Sequence, residues 1–169
     1  MRTTLIAGLL VMLAGGAAAQ TPKYEVVTKA DKSTDFSALK TYVWEPGWQS
    51  YDVEVHQQII AAVDRELAGL GFTKGTPEAC DVTVVYATVR RDDVDLKTKE
   101  RTAEGLEPRY PVVTIVVLMR EPGTHKELFR ARADAKIELD IEAIRKVVDD
   151  QVAKMFARYP TRLDRSSHK

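Results

Sequence analysis

Residues 129–139 alternate apolar and charged side chains without a break, and this pattern constrains the fold more than any other. A period of two predicts a strand that packs on one face and meets water on the other. The packing face carries Phe129, Ala131, Ala133, Ala135, Ile137 and Leu139, and the water face carries Arg130, Arg132, Asp134, Lys136 and Glu138. Because alanine is small, a helix can lie close against the first face. The pattern therefore predicts a sheet that is covered by helices on one side.

Four further strands are predicted at residues 24–29, 40–45, 81–90 and 112–120, where β-branched and aromatic residues dominate. The segment 112–120 is apolar on both faces, as expected for a central strand. In the segment 40–45, Tyr42 and Trp44 share one face and are predicted to pack in the core. Trp48 lies beyond the Pro-Gly turn, and it either caps the following helix or stands exposed.

Two helices are predicted from apolar residues that recur every three or four positions. The first begins at Val53, with Asp52 or Ser50 as its N-cap, and Gly71 follows it where a left-handed residue commonly ends a helix. The second begins after Asp140, the expected N-cap, and ends at Pro160. The apolar stripe of the first is Val55, Ile59, Val63, Leu67 and Leu70, and that of the second is Ile141, Ile144, Val148, Val152, Met155 and Tyr159.

These elements predict an α+β fold, a largely antiparallel sheet of about five strands with two helices packed on one face, in the order ββαβββα. The length of 169 residues suits one domain. We assign this domain to residues 20–160 and expect residues 161–169 to be a flexible C-terminal tail that nothing anchors. The charged segment 91–111 is predicted to be either a long functional or mobile loop, or an extension of a hairpin as an exposed ribbon.

Residues 1–19 are predicted to be a signal peptide. Arg2 supplies its positive charge, an apolar run follows, and Ala17 and Ala19 place small residues before a cleavage site at Gln20. The apolar run is shorter than the roughly 20 residues that span a bilayer. A lipoprotein would carry cysteine after the cleavage site, where this chain has glutamine. We therefore expect an exported, unlipidated protein in the periplasm.

The composition offers little support for a specific chemistry. With 25 basic and 25 acidic residues the formal net charge is zero, which argues against nucleic acid as a partner. The three histidines, His56, His125 and His168, lack metal-ligand spacing. The acidic group Asp92, Asp93 and Asp95 fails as a calcium loop, because Lys97 and Thr98 stand where a ligand and a glycine are needed. We thus predict no catalytic, metal-binding or cofactor-binding residue and no cofactor, and we expect the lone Cys80 to be buried.

The order of several motifs resembles that of a bacterial family known as domain of unknown function 4136. The family's opening strands are matched by YEVVTKADKSTDFSALKTYVWEP, its first helix by IIAAVDRELAGLGF, a strand by CDVTVVY and its closing helix by VAKMFARYP. Phe129 and Arg130 stand where members often have Trp-Arg, and many members are lipoproteins whereas this chain lacks the lipidation cysteine. The resemblance implies an exported envelope protein of Gram-negative bacteria without assigned catalytic residues.

These features favour a non-enzymatic periplasmic protein that acts by binding, as an accessory to envelope assembly or transport. The alternative is a small periplasmic hydrolase whose acid–base pair is assembled from separated elements. The expected partner is an envelope protein or a lipid-like ligand, and a dimer is also allowed. Two helices cover only one side of a sheet, so the other side would expose valines beside charged residues. The candidate contact residues are Val116, Val117, Arg130, Arg132 and Trp48.

Overall fold

The computed structural model describes residues 26–94, 101–103, 105–106, 108–137 and 140–167, which form a mixed β-sheet with helices on one face. The elements are β1 (Val27–Ala30), β2 (Thr41–Trp44), α1 (Val53–Gly69), β3 (Thr73–Lys74), β4 (Val82–Val94), β5 (Arg109–Arg120), β6 (Glu127–Lys136), α2 (Ile141–Ala157) and α3 (Pro160–Ser167). The strands lie in the order β1-β6-β5-β4-β2-β3. The predicted α+β fold with a largely antiparallel sheet is confirmed. The proposed signal peptide, residues 1–19, lies outside the described residues.

One end of the sheet is parallel, because a helix connects its strands. The strand β2 pairs in parallel with β4 and with the short β3, whereas the β4–β5, β5–β6 and β1–β6 pairs are antiparallel. Parallel neighbours need a crossover connection, and α1 supplies it between β2 and β4. The strand β3 was not predicted, since two exposed residues carry no strand pattern of their own.

The signals that begin and end α1 are where the sequence predicted them. The side chain of Asp52 accepts hydrogen bonds from the backbone N–H groups of Glu54 and Val55. After the helix, Gly71 has φ +89°, the left-handed conformation that glycine adopts without steric cost. The side chain of Asp140 caps α2 in the same way, accepting from the N–H of Ala143.

The predicted end of the chain needs a correction. Pro160 does not lead into an unanchored tail but is the first residue of α3, a position where its missing N–H costs nothing. Arg162 of α3 pairs with Glu66 of α1, with 2.7 Å between Nη1 and Oε2. The described part of the tail is therefore tied to the domain through a side chain of α1.

Both ends of the charged segment 91–111 continue the pairing of β4 with β5. This is the second of the two predicted alternatives, a hairpin extended as an exposed ribbon. The register pairs Arg91 with Val112 and continues to Val94 with Arg109. Within this ribbon the guanidinium of Arg91 contacts Asp93 at 2.9 Å, so Asp93 is engaged in an ion pair. Asp95 lies outside the described residues.

The core lies between the helices and one face of the sheet. That face carries Val82, Val84, Tyr86, Ile115, Val117, Met119, Phe129, Ala131 and Ala133. At the end of the core where α2 finishes, the ring of Tyr159 contacts four phenylalanine rings, with centroids 5.1–6.4 Å apart. These are the rings of Phe36, Phe72, Phe129 and Phe156. This aromatic cluster joins the end of α2 to the sheet and to the segments around β2 and β3.

Tyr42 and Trp44 attach β2 to α1, in agreement with their predicted place in the core, although only Tyr42 is fully buried. The Tyr42 hydroxyl and the Trp44 indole N–H both donate to Oδ1 of Asp64, at 2.7 and 2.8 Å. Lys74 reaches the other carboxylate oxygen at 2.7 Å. Burial alone would raise the pKa of Asp64, but hydrogen bonds from Lys74, Tyr42 and Trp44 outweigh it and lower that pKa.

Candidate functional site

A pocket opens between α1, α2 and the sheet, at the end where both helices begin. The two helices run in the same direction, as shown by contacts from Glu54 to Arg145 and from Gln58 to Asp149. The pocket has a volume of about 370 Å³. Its walls are mainly apolar: Val55 and Ile59 from α1, Ile144, Val147 and Val148 from α2, Val113 and Ile115 from β5, and Ile137 after β6. The arrangement provides a largely apolar chamber between the helices and the sheet.

The polar groups of the lining come from the segment before α1 and from two strands. The lining includes Gln49, Ser50, Tyr51 and Asp52 from that segment, Thr88 and Arg90 from the middle of β4, and Lys136 from the end of β6. The carboxylate of Asp52 already accepts two N–H groups of α1. Lys136 belongs to the row of β6 that points away from the helices, and its ammonium lies 5.7 Å from the ring centroid of Tyr110 on that side of the sheet, so its charge does not face the pocket.

Arg90 is the notable cation of this lining. It is exposed, and its position in β4 continues the helix-facing series Val82, Val84, Tyr86 and Thr88. Within the described part of the chain its guanidinium has no hydrogen-bond or ion-pair partner. Arg90 is therefore available to a ligand that occupies the pocket.

His56 lies close to the pocket, but its side chain is held in structural contacts with Tyr86. Its Nδ1 is 2.5 Å from the Tyr86 hydroxyl, and the two rings stack with centroids 5.7 Å apart. The same hydroxyl accepts the backbone N–H of Ser50 at 3.2 Å, so its own proton is free to point to Nδ1. Burial raises the pKa of Tyr86, which keeps the hydroxyl protonated. This histidine and tyrosine hold the segment before α1 against the sheet.

The predicted contact residues are divided between the two faces of the sheet. Val117 has no exposed surface and packs under the helices, which removes it from any partner contact. On the opposite, open face Val116 is half-buried and lies beside Arg132, its register partner, while Arg130 lies beside Leu118. Trp48 is 78% exposed and lies across β4 from Val116, with its carbonyl bonded to the Thr88 N–H.

The open face is less apolar at its surface than the sequence suggested. Val85 and Val112 are buried although they point away from the helices, and Val89 is 47% exposed. Val112 is flanked by its register partners Arg91 and Lys136, whose long side chains can cover it. The apolar surface on this side is therefore made by the exposed Val27 and Val89 together with the half-buried Val116 and Leu118.

Cys80 is half-buried, not buried as predicted. Burial, followed by the nearby carboxylates of Asp81, Glu45 and Glu78, raises the pKa of its thiol. Among the described residues no group of three or more His, Cys, Asp or Glu side chains is placed to hold a metal ion. Over those same ranges, no helix has the length and apolar character needed to cross a membrane. His168 lies outside the described residues.

Sequence reasoning missed the pocket, although one signal for it was present. In β4 the helix-facing positions change from apolar residues to Thr88 and then Arg90, which is unusual for a strand side that faces helices. This change marks the place where the helices no longer seal the sheet. The volume of the pocket depends on how far the helices stand from the strands, which the sequence does not express.

Comparisons with known proteins show the family and the fold. A family model described as a domain of unknown function (DUF4136) matches residues 26–161. No curated protein matches the chain. A PDZ domain protein from Parabacteroides distasonis ATCC 8503 is similar in structure, with a TM-score of 0.57 at 13% identity over 81% of this chain and 35% of that chain. This chain thus spans about a third of the length of that protein.

Two further solved structures are similar over most of their own length. The PelC dodecamer from Paraburkholderia phytofirmans has a TM-score of 0.50 at 12% identity, over 79% of this chain and 95% of that chain. A minor lipoprotein from Acinetobacter baumannii has a TM-score of 0.46 at 13% identity, over 75% of this chain and 93% of that chain. At such identities the likeness concerns the fold alone.

Proposed function

The chain belongs to the DUF4136 family, and we propose that it is an exported binding protein of the bacterial cell envelope that holds a small apolar ligand between α1, α2 and the sheet. The pocket is the observation that carries this proposal. Its volume of about 370 Å³ falls within the range of roughly 300–1,000 Å³ that small-molecule sites occupy. A ligand would remove the half-buried side chains of Val55, Val113, Ile144 and Val147 from water, which is favourable.

The polar groups of the pocket support binding over hydrolysis. Among the described lining residues the carboxylate is that of Asp52, and its side chain is occupied as the cap of α1. His56, the histidine nearest in sequence to the pocket segment, is engaged with Tyr86. An acid–base pair would need groups that are free to exchange protons with a substrate.

Binding to the pocket is testable with N-phenyl-1-naphthylamine, an uncharged dye that fluoresces in apolar surroundings. We expect the wild-type protein to enhance its fluorescence with saturation, and Val113→Trp to reduce its affinity at least tenfold, because an indole at this position fills the chamber. Val94→Trp is the matched control, since Val94 is exposed in the ribbon and outside the pocket wall.

Circular dichroism melting establishes that both tryptophan variants are folded before the dye is added. Equal dye binding by the wild-type protein and a folded Val113→Trp variant would mean that the dye binds elsewhere. The pocket would then lose its proposed function.

Export to the envelope is part of the proposal and rests on the N-terminal sequence, where a positive residue, an apolar run and small residues precede Gln20. We expect the mature chain to begin at Gln20 and to carry no acyl group. Intact-mass measurement of the protein from the periplasmic fraction checks this. A retained leader or a lipid-modified N-terminus would contradict it.

A second candidate function is favoured by the open face, where Val116 and Leu118 lie beside the exposed Arg130 and Arg132. Arg132 is paired with Asp134 at 3.0 Å and Arg130 with Glu127 at 3.6 Å, both at the surface. We propose that this surface contacts an envelope protein whose acidic groups replace these exposed pairs, because an apolar strip rimmed by charged residues suits a partner contact. A photo-crosslinking residue at position 116 should give an adduct with such a protein, and Arg132→Glu should abolish that adduct. An adduct with a second copy of the chain, or one unaffected by the charge reversal, would contradict this proposal.

A further inference from the structure

The pocket has a positive charge on one side of its lining as well as an apolar interior. Arg90 lies at its polar end, exposed and without a partner among the described residues, while Val55, Ile59 and Val148 line its interior. An unpaired guanidinium presents several N–H donors in one plane, which matches the geometry of a carboxylate or a phosphate. A ligand that fills the chamber therefore meets apolar walls along its body and a cation at its exposed end.

The helices contribute further positive potential to the pocket, since α1 and α2 both begin at the same end of it. The N-terminus of a helix carries a partial positive charge. The caps Asp52 and Asp140 each accept N–H groups of their own helix, and Asp92 lies two residues after Arg90 on the same side of β4 without an ion pair to it among the described residues. Glu54, on the first turn of α1, is paired with Arg145. Arg90 is thus a cation of the pocket lining without a counterion within the described ranges.

The size of the chamber limits the ligand further. A volume of about 370 Å³ is near the lower limit for small-molecule sites, where roughly 300–1,000 Å³ is typical. Such a chamber suits one apolar chain better than the two chains of a membrane phospholipid.

We propose that the pocket selects a single-chain amphiphile whose apolar chain lies between α1, α2 and the sheet and whose anionic head, a carboxylate or a phosphate, pairs with Arg90. This inference rests on the proposed function of the pocket and names the class of its ligand.

Isothermal titration calorimetry tests it directly with dodecanoate, dodecyl phosphate and dodecyltrimethylammonium, each kept below the concentration at which it forms micelles. We expect the wild-type protein to bind at least one of the two anions at least tenfold more tightly than the cation. The two anions distinguish a carboxylate head from a phosphate head.

The variant Arg90→Gln should bind the preferred anion about tenfold more weakly, as expected for the loss of one charge-assisted hydrogen bond at an exposed site. Its affinity for the uncharged dye should not change, because the apolar walls are intact. Arg120→Gln is the matched control, since Arg120 pairs in register with Thr83 at the other end of β4, far from the pocket lining.

The outcomes separate this inference from the proposed function. If the dye binds in the pocket but anions and cation bind equally, or if Arg90→Gln and Arg120→Gln behave alike, the anionic head is refuted while the pocket remains a binding site. If neither the dye nor any of the three amphiphiles binds, both proposals are refuted.

Discussion

Replacing Val117 with glutamate is expected to prevent cooperative folding. Val117 has no exposed surface and packs in the core beneath the helices. A carboxylate placed there has neither water nor a charged partner, and substitutions of this kind cost upwards of about 4 kcal/mol. Thermal melting followed by circular dichroism should show no native transition at pH 8.

The neighbouring substitution Val116→Glu is the control for this prediction, because it places the same side chain on the open face. Val116 is half-buried and lies beside Arg132, which can pair with the new carboxylate. We expect its free energy of unfolding to stay within about 1 kcal/mol of the wild-type value. Similar melting of the two variants would contradict the placement of both helices on the Val117 side.

The pH dependence gives a further check on the first variant. Burial raises the pKa of a carboxyl group in the folded state above its value in the unfolded state. The folded state then binds the proton more tightly, so the free energy of unfolding is higher at low pH and falls as the pH rises. The glutamate at position 117 should therefore be less destabilising at pH 5 than at pH 8. The glutamate at position 116 should show no such difference.

Removing the ring of Tyr159 is expected to have an effect of similar size. This ring is fully buried and contacts four phenylalanine rings at the end of the core where α2 finishes. The change Tyr159→Ala leaves a large cavity, and we expect a loss of about 3–5 kcal/mol in the free energy of unfolding. Urea denaturation measures this loss. Tyr51→Ala, at a fully exposed position, should change stability by less than about 0.5 kcal/mol.

The hydroxyl of Tyr159 should contribute nothing to stability. Its oxygen is buried and has no hydrogen-bond partner within the described residues. Burial raises the pKa of Tyr159, so the hydroxyl is protonated. Because an unsatisfied buried polar group is costly, Tyr159→Phe should be neutral or should stabilise the protein by up to about 1 kcal/mol. A marked destabilisation by this change would show that the hydroxyl has a partner.

Much of the fold was predictable because its signals are local. The alternation at residues 129–139 reflects the strand period, and it identified the packing face of β6 at Phe129, Ala131 and Ala133. The cap at Asp52 and the left-handed Gly71 are decided by a few neighbouring residues, and both are as predicted. Local chemistry was less informative at Pro160, since proline suits the first turn of a helix as well as the residue after one.

Other features depend on residues that are far apart in the chain. The open face could not be distinguished from the covered face in β5, because Val116 and Val117 belong to two equally apolar rows. The triple contact of Asp64 with Tyr42, Trp44 and Lys74 also exists only after α1 has packed on the sheet. Neither arrangement produces a periodic pattern in the sequence from which it could be predicted.

The sequence by itself determined the strand and helix periods, the caps of the helices and the one-sided packing of the sheet, because each of these follows from interactions within a few residues. Tertiary structure alone decided which row of β5 is buried and where the helices separate from the sheet. The pocket, with Arg90 in its lining and without an ion pair to any described residue, results from that separation. Its width is set by the packing of α1, α2, β4 and β5 against one another, a relation among distant segments that no local pattern encodes.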